Sequence, residues 1–336
     1  PWEASRLPWS HSALRSSLEL ALQRRGIEGR VESGPFATTF HVRRMVPKDL
    51  RASLVVMVHQ DASGTSGVAT SLRRCVNSIR RSSGDLLAEI IVAVPFGIGA
   101  ELERVCTWLD SQVGVKVLWD RPHEGEVGDT LEPDWSQVFV AAHAAACQAV
   151  GEYLCFVHSD VTFDQGSLYA MAEQACVEEI GVVGARLVTP QGEISHSGII
   201  VAPSGPRWAS GALDGQLPSS LRWAGLIHDA SAVSSAALMT RASIYHGVGG
   251  FDPDQGGSAD VDYCLKVTSR FSKQVVVTPL AEIVHYGTPT ESLADDPTGQ
   301  AAFANRWTDW VDPYLPRALD PKDGTLSTVK SPEQYL

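Results

Sequence analysis

From Ser53 onward the chain alternates short apolar runs with segments of helical period, and this alternation limits the possible folds more than any other feature. Leu54 to Val58 is a strand-length run, and a helical pattern through Leu72, Val76 and Ile79 follows it. Ile90 to Val94, a helix through Leu102, Val105 and Leu109, and then Val115 to Leu118 repeat the unit. The Ala-rich run Val138 to Val150 reads as the next helix and leads to the strand Tyr153 to Val157. Strands covered on both faces read as near-continuous β-branched runs, so the series predicts an α/β fold: a Rossmann-like, mostly parallel sheet flanked by helices. Sheets of this kind bind ligands outside the carboxyl ends of their strands.

The order changes after Asp160. A helix near Leu168 to Glu178, a strand Val182 to Val188, a turn at Pro190-Gln191-Gly192 and a strand Glu193 to Val201 predict a smaller antiparallel portion suited to an acceptor. Residues 202–221 are rich in Gly, Pro and Ser and read as a mobile loop, with Trp208 and Trp223 as candidate faces for a sugar ring or as core packing. Apolar text returns from Ala230 to Met239, Asp260 to Val267 reads as a helix, and Gln274 to Val277 as a short buried strand. Ahead of the alternation, Leu14, Leu18 and Leu22 at helical spacing, a stop at Gly26 and two β-like stretches predict a small appendage over residues 1–50. Residues 51–288 form the main domain. Residues 289–336 are a polar, Pro-rich extension that packs back through Trp307, Trp310 and Tyr314.

Composition narrows the partners. A formal net charge of −12 opposes nucleic acid and anionic membranes as main partners, and points to a small molecule or glycan. No apolar run reaches the roughly 20 residues that span a bilayer, and the opening residues lack the basic-then-apolar order of a signal peptide. The six cysteines include no C-x-x-C pair and several lie in apolar patterns, which reads as reduced thiols in a cytoplasmic protein. The chain begins at Pro1, as a piece of a longer protein with further domains would.

Chemistry concentrates at four places. Asp160 stands where the strand Tyr153 to Val157 runs out, the edge at which a carboxylate can hold a hard divalent cation; His158-Ser159-Asp160 also reads as a polar turn capping the next helix. His285 follows Ile283-Val284 and can complete a metal shell, or can be an ordinary surface residue. Asp260 and Asp262 sit two apart, so a helix points them to different faces. Asp260, leaving the loop Gly256-Gly257-Ser258, can act as a general base or complement the helix N-terminus, and Asp262 reads as an acid complementing that terminus.

Taken in order, Ser53 to Val58, Arg74 to Ile79, Glu89 to Val92, Gly151 to Asp160, Gly184 to Leu187, His196-Ser197-Gly198, Gly249-Gly250-Phe251-Asp252, Asp260 to Leu265 and Pro279 to His285 resemble the landmarks of family 2 glycosyltransferases. The chain is most similar to bacterial rhamnosyltransferase-like, polysaccharide-building members, over nearly its whole length. That resemblance implies a GT-A fold, a nucleotide-diphosphate sugar donor, a glycan acceptor, Mn²⁺ or Mg²⁺, and inversion at the anomeric carbon. By position it makes Asp160 the last acid of the metal motif, His285 the metal-binding His and Asp260 the base.

The chain departs from the family on the donor side. Val92-Ala93-Val94-Pro95-Phe96 carries no carboxylate for the nucleobase, so Asp61, past the first strand, is the candidate replacement. His158 stands where an Asn or Asp is usual and joins Asp61 and Asp160 as a cofactor-binding candidate. Ala142-His143 replaces an Asn pair, and Ala259 replaces an acid or Asn. These departures leave an alternative: a GT-A-like domain with weakened turnover that serves as a glycan-binding or scaffolding module.

Overall fold

The computed structural model describes residues 8–59, 65–120, 134–202, 205–208, 224–287 and 296–314. Helix α1 (Pro8–Arg24) precedes a hairpin of β1 (Gly29–Ser33) and β2 (Phe40–Arg44). The alternating series follows: β3 (Ala52–Met57), α2 (Thr65–Ser82), β4 (Leu87–Val94), α3 (Ala100–Asp110), β5 (Val115–Trp119), α4 (Trp135–Gln148) and β6 (Tyr153–His158). Then come β7 (Val161–Phe163), α5 (Ser167–Ala175), β8 (Ile180–Val188), β9 (Ile194–His196), β10 (Ile199–Ala202), β11 (Gly205–Trp208) and β12 (His228–Asp229). The described chain closes with β13 (Ala237–Arg241), α6 (Ala242–Gly247), α7 (Ala259–Phe271), β14 (Gln274–His285) and α8 (Pro297–Arg306).

One sheet runs in the order β12-β14-β8-β13-β6-β3-β4-β5, with β7 and β9 added at β14 and β8. The β6-β3-β4-β5 half is parallel, and β13 enters antiparallel between β6 and β8. Period-2 geometry divides the core between two layers. Leu54, Val56, Ile90, Val92, Cys155 and Val157 join the layer under α2, α3 and α5. Val55, Met57, Ile91, Leu154 and Phe156 join the layer under α4 and α7. The strand-to-helix punctuation is local chemistry: Asp134 accepts from Gln137 N–H while the Gln137 side chain accepts from Asp134 N–H, a capping box that starts α4.

Two sequence expectations change, and a third falls largely outside the described residues. The strand read over Glu193 to Val201 is broken at Gly198, whose φ of 104° only glycine adopts readily, and its second half pairs with β11 outside the main sheet. The short strand read over Gln274 to Val277 is a 12-residue strand that absorbs Pro279 in a bulge between Thr278 and Glu282 and runs on to His285. Residues 202–221 fall largely outside the described residues, as do Trp223, Asp61 and the side chain of Trp208.

The appendage is tied to the body through Arg43, whose guanidinium donates twice to the buried Glu173 carboxylate on α5 at 2.7 and 2.8 Å. Helix α8 packs against the short turn 253–258. Gly256 and Gly257 serve that contact. A Cβ on Gly256 would overlap the Asp296 carboxylate, which also accepts from Gly257 N–H at 3.0 Å, so the glycines read from sequence as a substrate approach make room for a packed carboxylate. Among the described residues no helix is long and apolar enough to cross a membrane.

Candidate functional site

The strand order reverses between β3 and β6, because β4 and β5 extend from one side of β3 and β6 lies on the other. This is the switch point at which an α/β sheet opens a ligand crevice. His59 leaves the end of β3, and His158 ends β6 in register with Met57. Asp160 sits in the following turn. Tyr286 N–H donates to the Asp160 carbonyl at 3.0 Å, which brings the end of β14, and with it His285, to the same edge.

Asp160 is only 4 % exposed, and neither carboxylate oxygen has a hydrogen-bond partner among the described residues. Its nearest titratable neighbours are imidazoles: His285 Nε2 at 3.4 Å and His59 Nε2 at 3.6 Å from Oδ2. Burial alone would raise this carboxyl, but the two imidazoles hold it well below the usual carboxylate range. Burial drives His158 the other way, well below the ordinary imidazole range, and His59 and His285 reinforce that while Asp160 opposes it. A neutral imidazole keeps a lone pair for a metal.

A ligand atom from each of His59, His158 and Asp160 lies within 4.8 Å of the others. A buried carboxylate without hydrogen bonds is costly unless something else completes it, and a divalent cation does so. Gly287 keeps the space open: a Cβ there would stand 2.3 Å from Asp160 Oδ2 and 3.3 Å from His285 Nε2. The donor set and the cradle fit a metal ion. Trp135, at the start of α4, stacks on His59 with ring centroids 5.2 Å apart and lies 5.2 Å from His158. Beside the pocket, Arg74 on α2 sits 3.7 Å from the centre of the Tyr286 ring.

Asp260 stands at the start of α7, 5 % exposed. Its Oδ2 accepts from Ser235 N–H at 2.7 Å and its Oδ1 from Val261 N–H at 2.8 Å. Burial pushes its carboxyl up to about 6, against those hydrogen bonds. The Ser235 hydroxyl meets His158 Nε2 at 3.1 Å, so one residue joins the Asp260 carboxylate to the histidine cluster.

Asp262 belongs to a different network. The expectation that it serves only the helix N-terminus is corrected by its side-chain partners: Lys266 Nζ at 2.8 Å, Arg306 Nη1 at 3.1 Å and Trp307 Nε1 at 3.0 Å. The Lys266 contact is an ion pair outside hydrogen-bond angles. Arg306 also reaches Asp252, and Lys266 donates to the Gly250 carbonyl, so Asp262 clamps α8 to α7. Trp310 packs edge-on against Trp307, while Tyr314 stays 39 % exposed and anchors little.

The structure thus brings together Asp160, His158 and His285, and links Asp260 to them through Ser235. Asp61 lies outside the described residues. Sequence reasoning missed His59, Ser235 and Trp135. His59 carried a readable signal, because it terminates the first strand of the alternating series, where a switch-point ligand is expected.

The architecture is the GT-A fold of glycosyltransferases: a mostly parallel central sheet flanked by helices, with an antiparallel addition. The structure of GalNAc-T7 with UDP, GalNAc and Mn²⁺ is similar at a TM-score of 0.57 and 15 % identity, over 81 % of this chain and 50 % of that one. Two curated proteins are related in sequence. One is the uncharacterized protein y4gI of Sinorhizobium fredii, 31 % identical over 203 residues, which are 56 % of this chain and 22 % of that protein. The other is the O-antigen biosynthesis protein RfbC of Myxococcus xanthus, 28 % identical over 185 residues, which are 53 % of this chain and 13 % of that protein. The matched stretch therefore spans less than a quarter of either relative. No protein-family model matches the chain.

Proposed function

We propose that the chain is a metal-dependent inverting glycosyltransferase that moves a sugar from a nucleotide-diphosphate donor to a hydroxyl of a glycan or related acceptor. The observation that carries this reading is the buried Asp160 carboxylate at the switch point of a GT-A sheet, which accepts no hydrogen bond among the described residues and is approached by imidazoles. Asp160 and His285 are the metal ligands in this reading, with His158 on the cofactor side. A divalent cation bound there, Mn²⁺ or Mg²⁺, supplies charge stabilisation to a leaving diphosphate. Arg74 adds a fixed positive charge beside the pocket.

Asp260 is the proposed base. A carboxyl raised to about 6 is mostly ionised at neutral pH yet basic enough to take a hydroxyl proton. Its two N–H donors fix the carboxylate orientation. Direct displacement needs only this one base on the acceptor side, which is what supports inversion.

The same reading assigns residues 51–288 to the GT-A domain, 1–50 to an appendage and 289–336 to an extension. The RfbC relative supports polysaccharide building as the setting. Six cysteines without a disulfide, four of them buried, support a reducing, cytoplasmic compartment.

A panel of nucleotide-diphosphate sugars, scored by thermal stabilisation with and without Mn²⁺, tests the proposal. One donor is expected to raise the melting temperature in a metal-dependent way, and to be turned over with an acceptor. Stabilisation by glycan alone, with no donor binding, would replace the enzyme with the glycan-binding module.

A further inference from the structure

We infer that the Asp160 pocket is built for a first-row transition ion held largely by imidazole nitrogen, and that it discriminates against Mg²⁺, with His59 as a donor. The inference rests on reading the pocket as a metal site. His59, His158 and Asp160 each offer a ligand atom within 4.8 Å of the others, and His285 Nε2 approaches the same carboxylate from a third strand end at 3.4 Å. Their spacing suits a shared ion. Two donors each about 2.0–2.1 Å from a tetrahedral ion stand about 3.4 Å apart, and the two imidazole nitrogens lie 3.4 and 3.6 Å from Asp160 Oδ2.

The supporting contacts have the pattern of oriented metal ligands. His59 places Nδ1 3.4 Å from Ser159 Oγ while its Nε2 faces the carboxylate. His158 places Nε2 3.1 Å from Ser235 Oγ, which leaves its other nitrogen for the cluster. A serine hydroxyl on His59 and one on His158 fix tautomer and orientation of those two rings, as outer-shell partners of metal-bound histidines do, while the buried Nδ1 of His285 has no hydrogen-bond partner among the described residues. Trp135 stacked on His59 holds that ring plane.

Donor chemistry then selects the ion. Mg²⁺ demands oxygen ligands in near-octahedral geometry and gives up water reluctantly, and among the described residues Asp160 is the one carboxylate grouped with the imidazoles, in buried surroundings. Imidazole favours the transition ions, rising from Mn²⁺ through Co²⁺, with Zn²⁺ also strong.

The test uses the full chain, stripped with chelator and titrated calorimetrically with Mg²⁺, Mn²⁺, Co²⁺ and Zn²⁺ in the absence of nucleotide. Co²⁺ and Zn²⁺ are expected to bind roughly tenfold or more tighter than Mn²⁺, and Mg²⁺ weakest of all. Bound Co²⁺ is expected to give intense visible ligand-field bands of a low-coordinate, nitrogen-bound ion in the unmodified protein. His59→Ala is expected to weaken Co²⁺ roughly tenfold or more and to alter those bands. Mg²⁺ binding within threefold of Mn²⁺, or a Co²⁺ spectrum like that of the hydrated ion, would overturn the inference whether or not the variant folds. Metal-dependent donor binding with no preference for Co²⁺ or Zn²⁺ over Mg²⁺ would overturn it while leaving the transferase reading intact. Selective ion binding without donor binding would uphold it and remove the transferase reading instead.

Discussion

Asp160, in the turn after β6, and Asp262, on α7, are both buried carboxylates, and their surroundings are opposites. Asp262 is surrounded by a lysine, an arginine and an indole N–H, all within 3.1 Å. Asp160 has two open oxygens and imidazoles at 3.4 and 3.6 Å, with a glycine keeping space beside it. A buried charge held by close cations and N–H donors holds structure together, whereas one that accepts no hydrogen bond and meets only imidazoles is a candidate ligand site. The contrast separates a clamp from a site.

The sharpest way to break this contrast is Asp262→Ala. Removing it strands Lys266, 6 % exposed, and frees Arg306, so a loss of about 3–5 kcal/mol is expected in urea unfolding. Metal affinity of the folded fraction is expected to stay unchanged. A stable variant that no longer binds metal would place Asp262 in the site.

Asp260→Asn is expected to keep metal and donor binding and to slow transfer roughly a hundredfold or more. Wild-type transfer is expected to fall on the acid side with a midpoint near pH 6, because the base must be ionised and burial lifts its carboxyl to about 6. Stability carries the matching signature. A folded pKa above the unfolded value contributes stability at low pH that is lost as pH rises from about 4 through about 6, at most about 3 kcal/mol. Asp260→Asn is expected to remove that slope, and an unchanged pH profile of stability and rate would dismiss Asp260 as the base.

The smallest expected effect is that of Ser235→Ala. It deletes the hydroxyl that meets His158 but keeps the N–H that Asp260 accepts, so about 1 kcal/mol, a fewfold loss of transfer, is expected. Because the Ser235 side chain also lowers the Asp260 pKa, the acid limb is expected to move to higher pH. No change in either quantity would mean that His158 and Asp260 work independently.

The strand–helix alternation made the parallel half legible, because each buried strand is one continuous apolar run. Asp160, His285 and Asp260 could be singled out because each is a polar residue at the end of such a run or opening a helix. His59 is harder to single out, because a histidine after an apolar run has many ordinary uses and nothing local in the sequence ties it to Asp160. The Asp262 clamp was invisible, since Arg306 and Trp307 are 44 and 45 residues away in sequence and only packing brings them near. Pro279 disguised β14 because a proline inside a central strand argues against one, and the bulge that admits it has no sequence signature of its own.

The most direct test of the open carboxylate is calorimetric binding of nucleotide-diphosphate sugars to wild type and Asp160→Ala, each with Mn²⁺ and with chelator. The expected result is donor binding that requires metal in the wild type and loses that metal dependence in a variant that still unfolds cooperatively. Donor affinity that remains equally metal-dependent in Asp160→Ala would contradict the assignment of this pocket as the metal-dependent donor site.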